Sequence, residues 1–475
     1  MDRKDLCFLS ACELLFLMRS GECSAEEMMR AHLAQIDEVN PRVNAIVTLV
    51  SEQAVNQART LDQQPKNERF SNILSGLPIA HKDLTLTKGI RTTFGSPIYK
   101  DHIPTQNALI VDRLQAAGAI TVGKTNTPEF GAGSQTFNTV FGKTVNPYDE
   151  TKTCGGSSGG AAVALATGMV PLADGSDLGG SLRNPASFCN VVGLRPSAGL
   201  VPSIPTQSAW FPLSVVGPMA RTVKDVALML SAIAGPDPRC PISITDSPEK
   251  FGAALDRNFK NVKIAWSPTL GGLPVDNEVR KIIEGQRKHL ETLGCAVMDA
   301  DPALEDADEV FHVLRAWNME LNFGQLLEQY PDQFKDTLIW NIRQGVDLTG
   351  PQIGAAERKR TILFDQLNRF MNEYEFIIAP VVQVLPFDIN LPYIDEINGE
   401  RLDNYIDWMK SCYRVSATGH PAISIPCGFS RDGLPVGLQI IGRYRDDFGV
   451  LQLAHAFEQI TECWKVRPKI VEEIR

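Results

Sequence analysis

No two cysteines in this 475-residue chain are spaced C-x-x-C, although ten are present, and no two of its seven histidines form H-x-H or H-x-x-x-H. The first absence argues against a redox pair or a disulfide framework, and a chain this long needs no covalent staples. The second leaves a metal site without its usual ligand spacing, so neither a metal nor another cofactor is expected. No stretch approaches the ~20 apolar residues of a membrane span. Charge is sparse at 21%, there is no run of five like charges, and the net charge is −10. An acidic surface repels phosphate backbones, which argues against a nucleic-acid partner. What is present in quantity is apolar residue, 43% of the chain, as in an ordinary globular protein.

The apolar opening LCFLSACELLFLM (residues 6–18) is interrupted by Glu13 and lacks a small-residue cleavage site, so it does not read as a signal peptide. Ser10 with Glu13, and Ser24 with Glu27, have the spacing of capping boxes that open helices. Asn40-Pro41 predicts the end of the second helix. Short runs without polar alternation read as buried strands: NAIVTLV (44–50), GLPIA (76–80), AITV (119–122), KIAW (263–266), FIIAP (376–380), AISIP (422–426) and GLQIIG (437–442). Helical patterns separate them, among them residues 355–371 with Leu363, Leu367 and Met371 on one stripe. This combination predicts an α/β fold: a large mixed, mostly parallel sheet covered by helices on both faces. No repeat or low-complexity linker divides the chain, so residues 1–475 are expected to form one domain. Within it, residues of about 300–375 make a helical layer rich in aromatics (Phe311, Trp317, Phe323, Tyr330, Phe334, Trp340), which either pack onto the sheet or wall a substrate cleft.

GAITVGKT (118–125) matches the phosphate-loop pattern G-x-x-x-x-G-K-[ST] letter for letter. A phosphate loop must turn directly into a helix whose N-terminus holds the anion. Here Ile120, Thr121 and Val122 are strand formers, and Asn126 and Pro128 bring a turn. Lys124 is therefore expected to be a structural or solvated lysine at a strand end, and no nucleotide is expected.

Two glycine-serine clusters carry the chemistry: GGSSGG (155–160) and GSDLGGS (175–181). They bracket the helix-like AAVALATG, unlike flexible linkers, which are poor in apolar residues. Consecutive peptide N–H groups beside a serine suit an oxyanion hole. Gly156 to Gly160 also matches G-x-S-x-G with Ser158 at its centre, but that elbow requires a preceding strand, and NPYDETKTCGG is a polar turn. No histidine is placed as an evident base.

The block GGSSGG…GSDLGGSLRNPASFC resembles the signature of the amidase-signature hydrolases, with 24 residues from Ser157 to Ser181. The likeness extends to GLPIAHKD, which supplies Lys82, and to SGECSAEE…NPRVNA, GKTNTPEFGAGS and GLPVGLQIIG, and so covers nearly the whole chain. The resemblance implies a Ser-Ser-Lys triad: Ser181 as nucleophile, Ser157 as proton relay after a cis Gly156–Ser157 peptide, and Lys82 as base. It implies an oxyanion hole from the N–H groups of Leu178, Gly179, Gly180 and Ser181, and backbone near substrate at Gly131. Asp177 and Arg183 would hold the loop, Asp83 would have no catalytic part, and Cys189 would be a buried thiol. The sequence departs from the usual pattern at Asn190, commonly glycine, at GLRPSAG (193–199), and at Leu178 and Leu182, commonly isoleucine. Expected activity is hydrolysis of an amide or carbamate, or an ester, of a small apolar or aryl substrate. Trp210-Phe211 and the aromatic layer suggest that substrate class. The expected partner is that small molecule, with no nucleic acid and no membrane, in the cytoplasm, and a homodimer is compatible with the sequence. The rival functions are the glutaminase component of a tRNA-dependent amidotransferase, which shares the signature, and a non-catalytic binding protein.

Overall fold

In a computed structural model, which describes residues 3–473, eleven strands form one sheet. In chain order they are β1 (Ile46–Leu49), β2 (Pro78–Lys82), β3 (Ile120–Thr125), β4 (Leu172–Asp177), β5 (Val192–Arg195), β6 (Val215–Ala220), β7 (Lys263–Trp266), β8 (Ala296–Asp299), β9 (Phe376–Pro380), β10 (Ala422–Phe429) and β11 (Pro435–Gly442). Their order across the sheet is β1-β3-β2-β4-β6-β5-β10-β11-β9-β7-β8. All seven apolar runs read as strands are strands. Every residue of β2, β9 and β11 is buried, whichever way its side chain points, so helices and loops cover both faces there.

The mixed sheet is as expected, but it is not mostly parallel. Six of the ten pairings are antiparallel, and the parallel ones are β3–β2, β2–β4, β9–β7 and β7–β8. Unalternating apolar strands report burial on both faces, and burial does not encode direction. Five residues, 430–434, separate β10 from β11, too few for a parallel crossover. Asp432-Gly433 makes their turn, with Gly433 at φ 80°.

Both capping boxes form: Ser10 and Ser24 accept from the Glu13 and Glu27 N–H groups and are bonded in return by those carboxylates. The helix Ala25–Val43 runs two residues past Pro41 and stops at Asn44, φ 53°. Pro41 sits in the last turn, so the one hydrogen bond it cannot donate is lost only two residues before the helix ends. Asn40 still marks the exit, since its side-chain oxygen accepts from Ala45 and Ile46 N–H. Leu363, Leu367 and Met371 are buried on the helix Gly350–Glu373, as their stripe predicts.

Lys82 ends β2 and Asp177 ends β4, two parallel neighbours. Their carboxyl ends therefore open at the same edge, where α/β sheets generally bind ligands. The helix Gly159–Ala166 lies against this edge through Gly160. A Cβ on Gly160 would stand 2.3 Å from Asn126 N and 2.7 Å from Ala45 O. Alanine is the better helix former by about 1 kcal/mol, but backbone atoms cannot yield 1 Å cheaply. Gly160→Ala is therefore expected to lower stability by about 1–3 kcal/mol. A urea titration checks this, and an unchanged midpoint would show that the helix is not seated on this contact.

Candidate active site

Lys82 is fully buried at the end of β2, and its Nζ lies 2.7 Å from Ser157 Oγ, 2.9 Å from Ser158 Oγ and 3.0 Å from Ser176 Oγ. The surrounding groups are hydroxyls rather than carboxylates. Burial draws its pKa from 10.5 down to about 7, against the more distant Asp174 and Asp177, which favour the charged form. A change of that size corresponds to about 5 kcal/mol of lost preference for the cation. A neutral amine has two N–H donors and one lone pair, so one of the three hydroxyls must donate to it. Ser157 is the nearest of the three.

Two loops bring the serines together. The Gly156–Ser157 peptide is cis. Ser158 N–H donates to Ser181 O at 3.2 Å, joining the two glycine-serine clusters. Ser157 and Ser181 both line a cavity of about 230 Å³. Gly131 lines it too, at φ 70°, and a Cβ there would come 3.5 Å from Ser157 Oγ and 2.7 Å from Leu84 Cδ1. A side chain at 131 would clash with Leu84 and reach ordinary contact with Ser157.

Asp177 holds the loop that carries Ser181. It is fully buried, and its carboxylate accepts from Gly180 N–H at 2.8 Å, Leu182 N–H at 3.2 Å, two nitrogens of Arg183 at 3.0 Å and Arg195 Nη1 at 3.1 Å. Burial alone would raise its pKa, but the two guanidinium groups hold it well below the carboxylate range. Arg183 reaches on to Gln439 and Ser416, tying the loop to β11 and to the helix Lys410–Thr418. Asp177 and Arg183 thus hold the loop, as expected. The expected oxyanion hole needs a correction: the Gly180 N–H is committed to Asp177, because the turn folds back on that carboxylate. The N–H groups of Leu178, Gly179 and Ser181 are not bonded to Asp177, and Leu178 and Ser181 line the cavity. Gly180 keeps a conformational part at φ 123°. Gly179 lies under Phe311, whose Cζ would be 2.6 Å from a Cβ there.

Several residues escaped the sequence reading. Ser158, considered only as a rival nucleophile, and Ser176 complete the hydroxyl shell of Lys82. Asp174 accepts from the Lys82 N–H at 3.1 Å, from Thr85 Oγ1 at 2.7 Å, and lies 3.0 Å from His81 Nδ1. Arg195 is the second cation on Asp177. The available signal was the period of two along β4, which puts Asp174 and Ser176 on one face. Asp83 turns away to Thr93, whose N–H it accepts at 3.1 Å. Lys124 is structural rather than solvated: fully buried on β3, it donates to Thr87 Oγ1 at 2.8 Å and to the Thr85 carbonyl. The phosphate-loop match is therefore a strand. Cys189 is a buried thiol, and burial raises its pKa. Asn190 has φ 56°, the conformation that explains a usual glycine, and asparagine is the side chain that tolerates it best.

The aromatic layer divides. Phe323 lines the cavity with Phe130 and Phe211, while Phe311 stacks on Tyr413 at 4.5 Å and Trp340 and Tyr330 face solvent. Trp210 is also exposed, at 77%, so only Phe211 of that pair reaches the cleft.

The sequence model of the family described as Amidase matches residues 27–451. The chain belongs to the amidase family. An acylamidase of Rhodococcus erythropolis is 36% identical over 463 residues, 97% of each chain. A glutamyl-tRNA(Gln) amidotransferase subunit from Geobacillus kaustophilus (strain HTA426) is also 36% identical, over 97% of this chain and 98% of the relative. Among solved structures, a bacterial aryl acylamidase of the amidase-signature enzymes superposes with a TM-score of 0.91 at 29% identity, covering 98% of this chain and 99% of that one. A 6-aminohexanoate cyclic dimer hydrolase superposes at 0.88 with 25% identity, over 98% and 99%. Among the described residues no helix is long and apolar enough to cross a membrane.

The buried amine makes a pH prediction for this amidase. Only neutral Lys82 can accept a proton, so kcat/KM should rise about tenfold per pH unit up to about 7 and then level off. Lys82→Ala should lose about four orders of magnitude in kcat with its circular dichroism unchanged. A profile that keeps its rise at 7 in Lys82→Ala would assign the titration to another group.

Proposed function

We propose that the protein hydrolyses the C–N bond of a small, uncharged amide with an apolar or aryl acyl group, by way of a Ser181 acyl-enzyme. Carbamates and esters, which present the same carbonyl, fall within this reading. Ser181 Oγ attacks the carbonyl carbon as Ser157 takes its proton and passes its own to Lys82. The oxyanion faces the N–H groups of Leu178, Gly179 and Ser181. When the C–N bond breaks, the proton returns through Ser157 to the leaving nitrogen. Water then repeats the sequence on the ester and restores Ser181.

The observation that carries the substrate class is the cavity wall. Phe130, Leu178, Val201, Phe211, Met319 and Phe323 face it, and no Asp, Glu, Lys, Arg or His lines it. Its polar groups are hydroxyls and the amides of Asn318 and Asn322, suited to orienting a neutral molecule.

The second reading, the glutaminase component of a tRNA-dependent amidotransferase, is favoured by the 36% identity to one such amidotransferase chain. Glutamine, however, carries an ammonium and a carboxylate. In a cavity without opposite charges both would be desolvated unpaired, at several kcal/mol each. A product-release panel of anilides, carbamates, esters and glutamine separates the two. A neutral aryl or acyl anilide is expected to exceed glutamine in kcat/KM by about a hundredfold or more. Ammonia from glutamine at a comparable rate, above all if raised by partner proteins, would reverse the choice.

A further inference from the structure

A second cavity, of about 280 Å³, is built from both ends of the chain and shares no residue with the catalytic one of about 230 Å³. Residues 8–9 and residues 464–467 line it, together with Tyr148, Asn190 and Arg221. Polar side chains hold these walls in place. Arg221, only 4% exposed, donates four of its five N–H groups to carbonyls: Leu165 O and Val170 O at 3.1 Å, Cys7 O at 3.2 Å and Leu9 O at 2.6 Å. All four partners are neutral. The Tyr148 hydroxyl donates to Val466 O at 2.8 Å, and the Asn190 amide donates to Cys463 O at 2.9 Å. Glycine, the commoner residue at position 190, has no side chain to make that last bond. Two atoms of these side chains stay without a partner among the described residues: Arg221 Nε, a donor on a cation, and Asn190 Oδ1, an acceptor.

We propose that this cavity is a binding site for a small aromatic carboxylate, separate from the catalytic cavity and independent of which bond is cleaved there. Its charge calls for an anion. Three cations, Arg221, Lys465 and Arg467, stand in the lining against one carboxylate, Glu13. Glu13 is already engaged, since it accepts from Ser10 N–H and Ser10 Oγ at 2.7 Å in the capping box. Lys465 pairs with Glu462 at 2.5 Å and Arg467 with Asp5 at 3.5 Å, but these four side chains are between 39% and 60% exposed. Exposed pairs of this kind hold weakly, so either cation can turn to a carboxylate in the cavity.

The rest of the wall calls for a ring. Phe8, Tyr148 and Trp464 supply aromatic surface, against which another ring gains by offset or edge contact. Phe8 is itself held, with the Arg467 guanidinium 4.3 Å and the Arg221 guanidinium 5.7 Å from its ring centre. The volume is that of roughly nine waters, enough for one ring bearing a carboxylate. A neutral ring would leave the cations unanswered, and an anion without a ring would leave the aromatic surface wet. The two requirements together select the class.

Benzoate titrated into the whole protein tests the site, by calorimetry and by the emission of Trp464. One site with a Kd of about 1 mM or tighter is expected. Benzamide, the same ring without the charge, and acetate, the same charge without the ring, should each bind about tenfold more weakly or worse. Arg467→Ala and Lys465→Ala, both at exposed positions, should each weaken benzoate by about threefold to tenfold. Met319→Phe, in the catalytic cavity, should leave benzoate affinity within about twofold, because the two cavities share no residue. The comparison of three ligands uses the wild-type protein, so a variant that fails to fold does not obscure the answer. Benzamide or acetate binding as tightly as benzoate overturns the proposal, as does the absence of saturable benzoate binding up to about 10 mM. Affinity unchanged in both cation variants overturns it too. So does affinity lost in Met319→Phe, which would place benzoate in the catalytic cavity.

Discussion

Everything at this site depends on one amine held away from water without a carboxylate in contact. Lys82 is enclosed by three serine hydroxyls, and burial outweighs the pull of Asp174 and Asp177 enough to make it half neutral near pH 7. A single ion pair in place of one hydroxyl would favour the ammonium again. The fold supplies this environment at the end of a fully buried interior strand, between two parallel neighbours. The strand gives the rigid backbone, and Asp174 fixes it by accepting the Lys82 N–H.

The full charges lie one layer away from that dry centre. The Asp177 carboxylate between Arg183 and Arg195 forms a buried triad that also binds the loop backbone, with only Arg195 Nε left without a partner in it. Such a triad gives little net stability compared with apolar packing, while removing one member costs about 3–5 kcal/mol. Its contribution here is geometric: it binds the Gly180 and Leu182 N–H groups and so fixes the turn that carries Ser181. The cavity in turn carries dipoles and apolar surface only. The lysine, the loop that carries Ser181 and the cavity thus occupy three adjoining environments of different polarity.

Much of this was legible in the sequence. The strands and capped helices followed from periodicity and cap chemistry, because those signals are local. The positions of Lys82, Ser157 and Ser181 came from a family resemblance, since three residues on a strand end and two loops share no spacing that physics alone would single out. Strand direction was not legible, as β10 and β11 show: burial writes the same apolar run for either direction. The use of the Gly180 N–H was hidden as well, because it depends on a turn closing over a side chain three residues earlier. Ser176 stood inside the second glycine-serine cluster, and only the sheet register puts its hydroxyl on the lysine. The aromatic layer could not be divided in advance between packing and cleft, for both uses draw on the same residues.

The most direct measurement is where, and at what pH, the enzyme becomes covalently labelled. A fluorophosphonate takes the place of the acyl group, and peptide mass spectrometry locates the adduct. The adduct should lie on Ser181, should be absent in Ser181→Ala, and should form at a rate that falls as pH drops below about 7, where Lys82 is protonated. An adduct on Ser158, or labelling of Ser181→Ala at the wild-type rate, would contradict both the nucleophile and the lysine-driven relay.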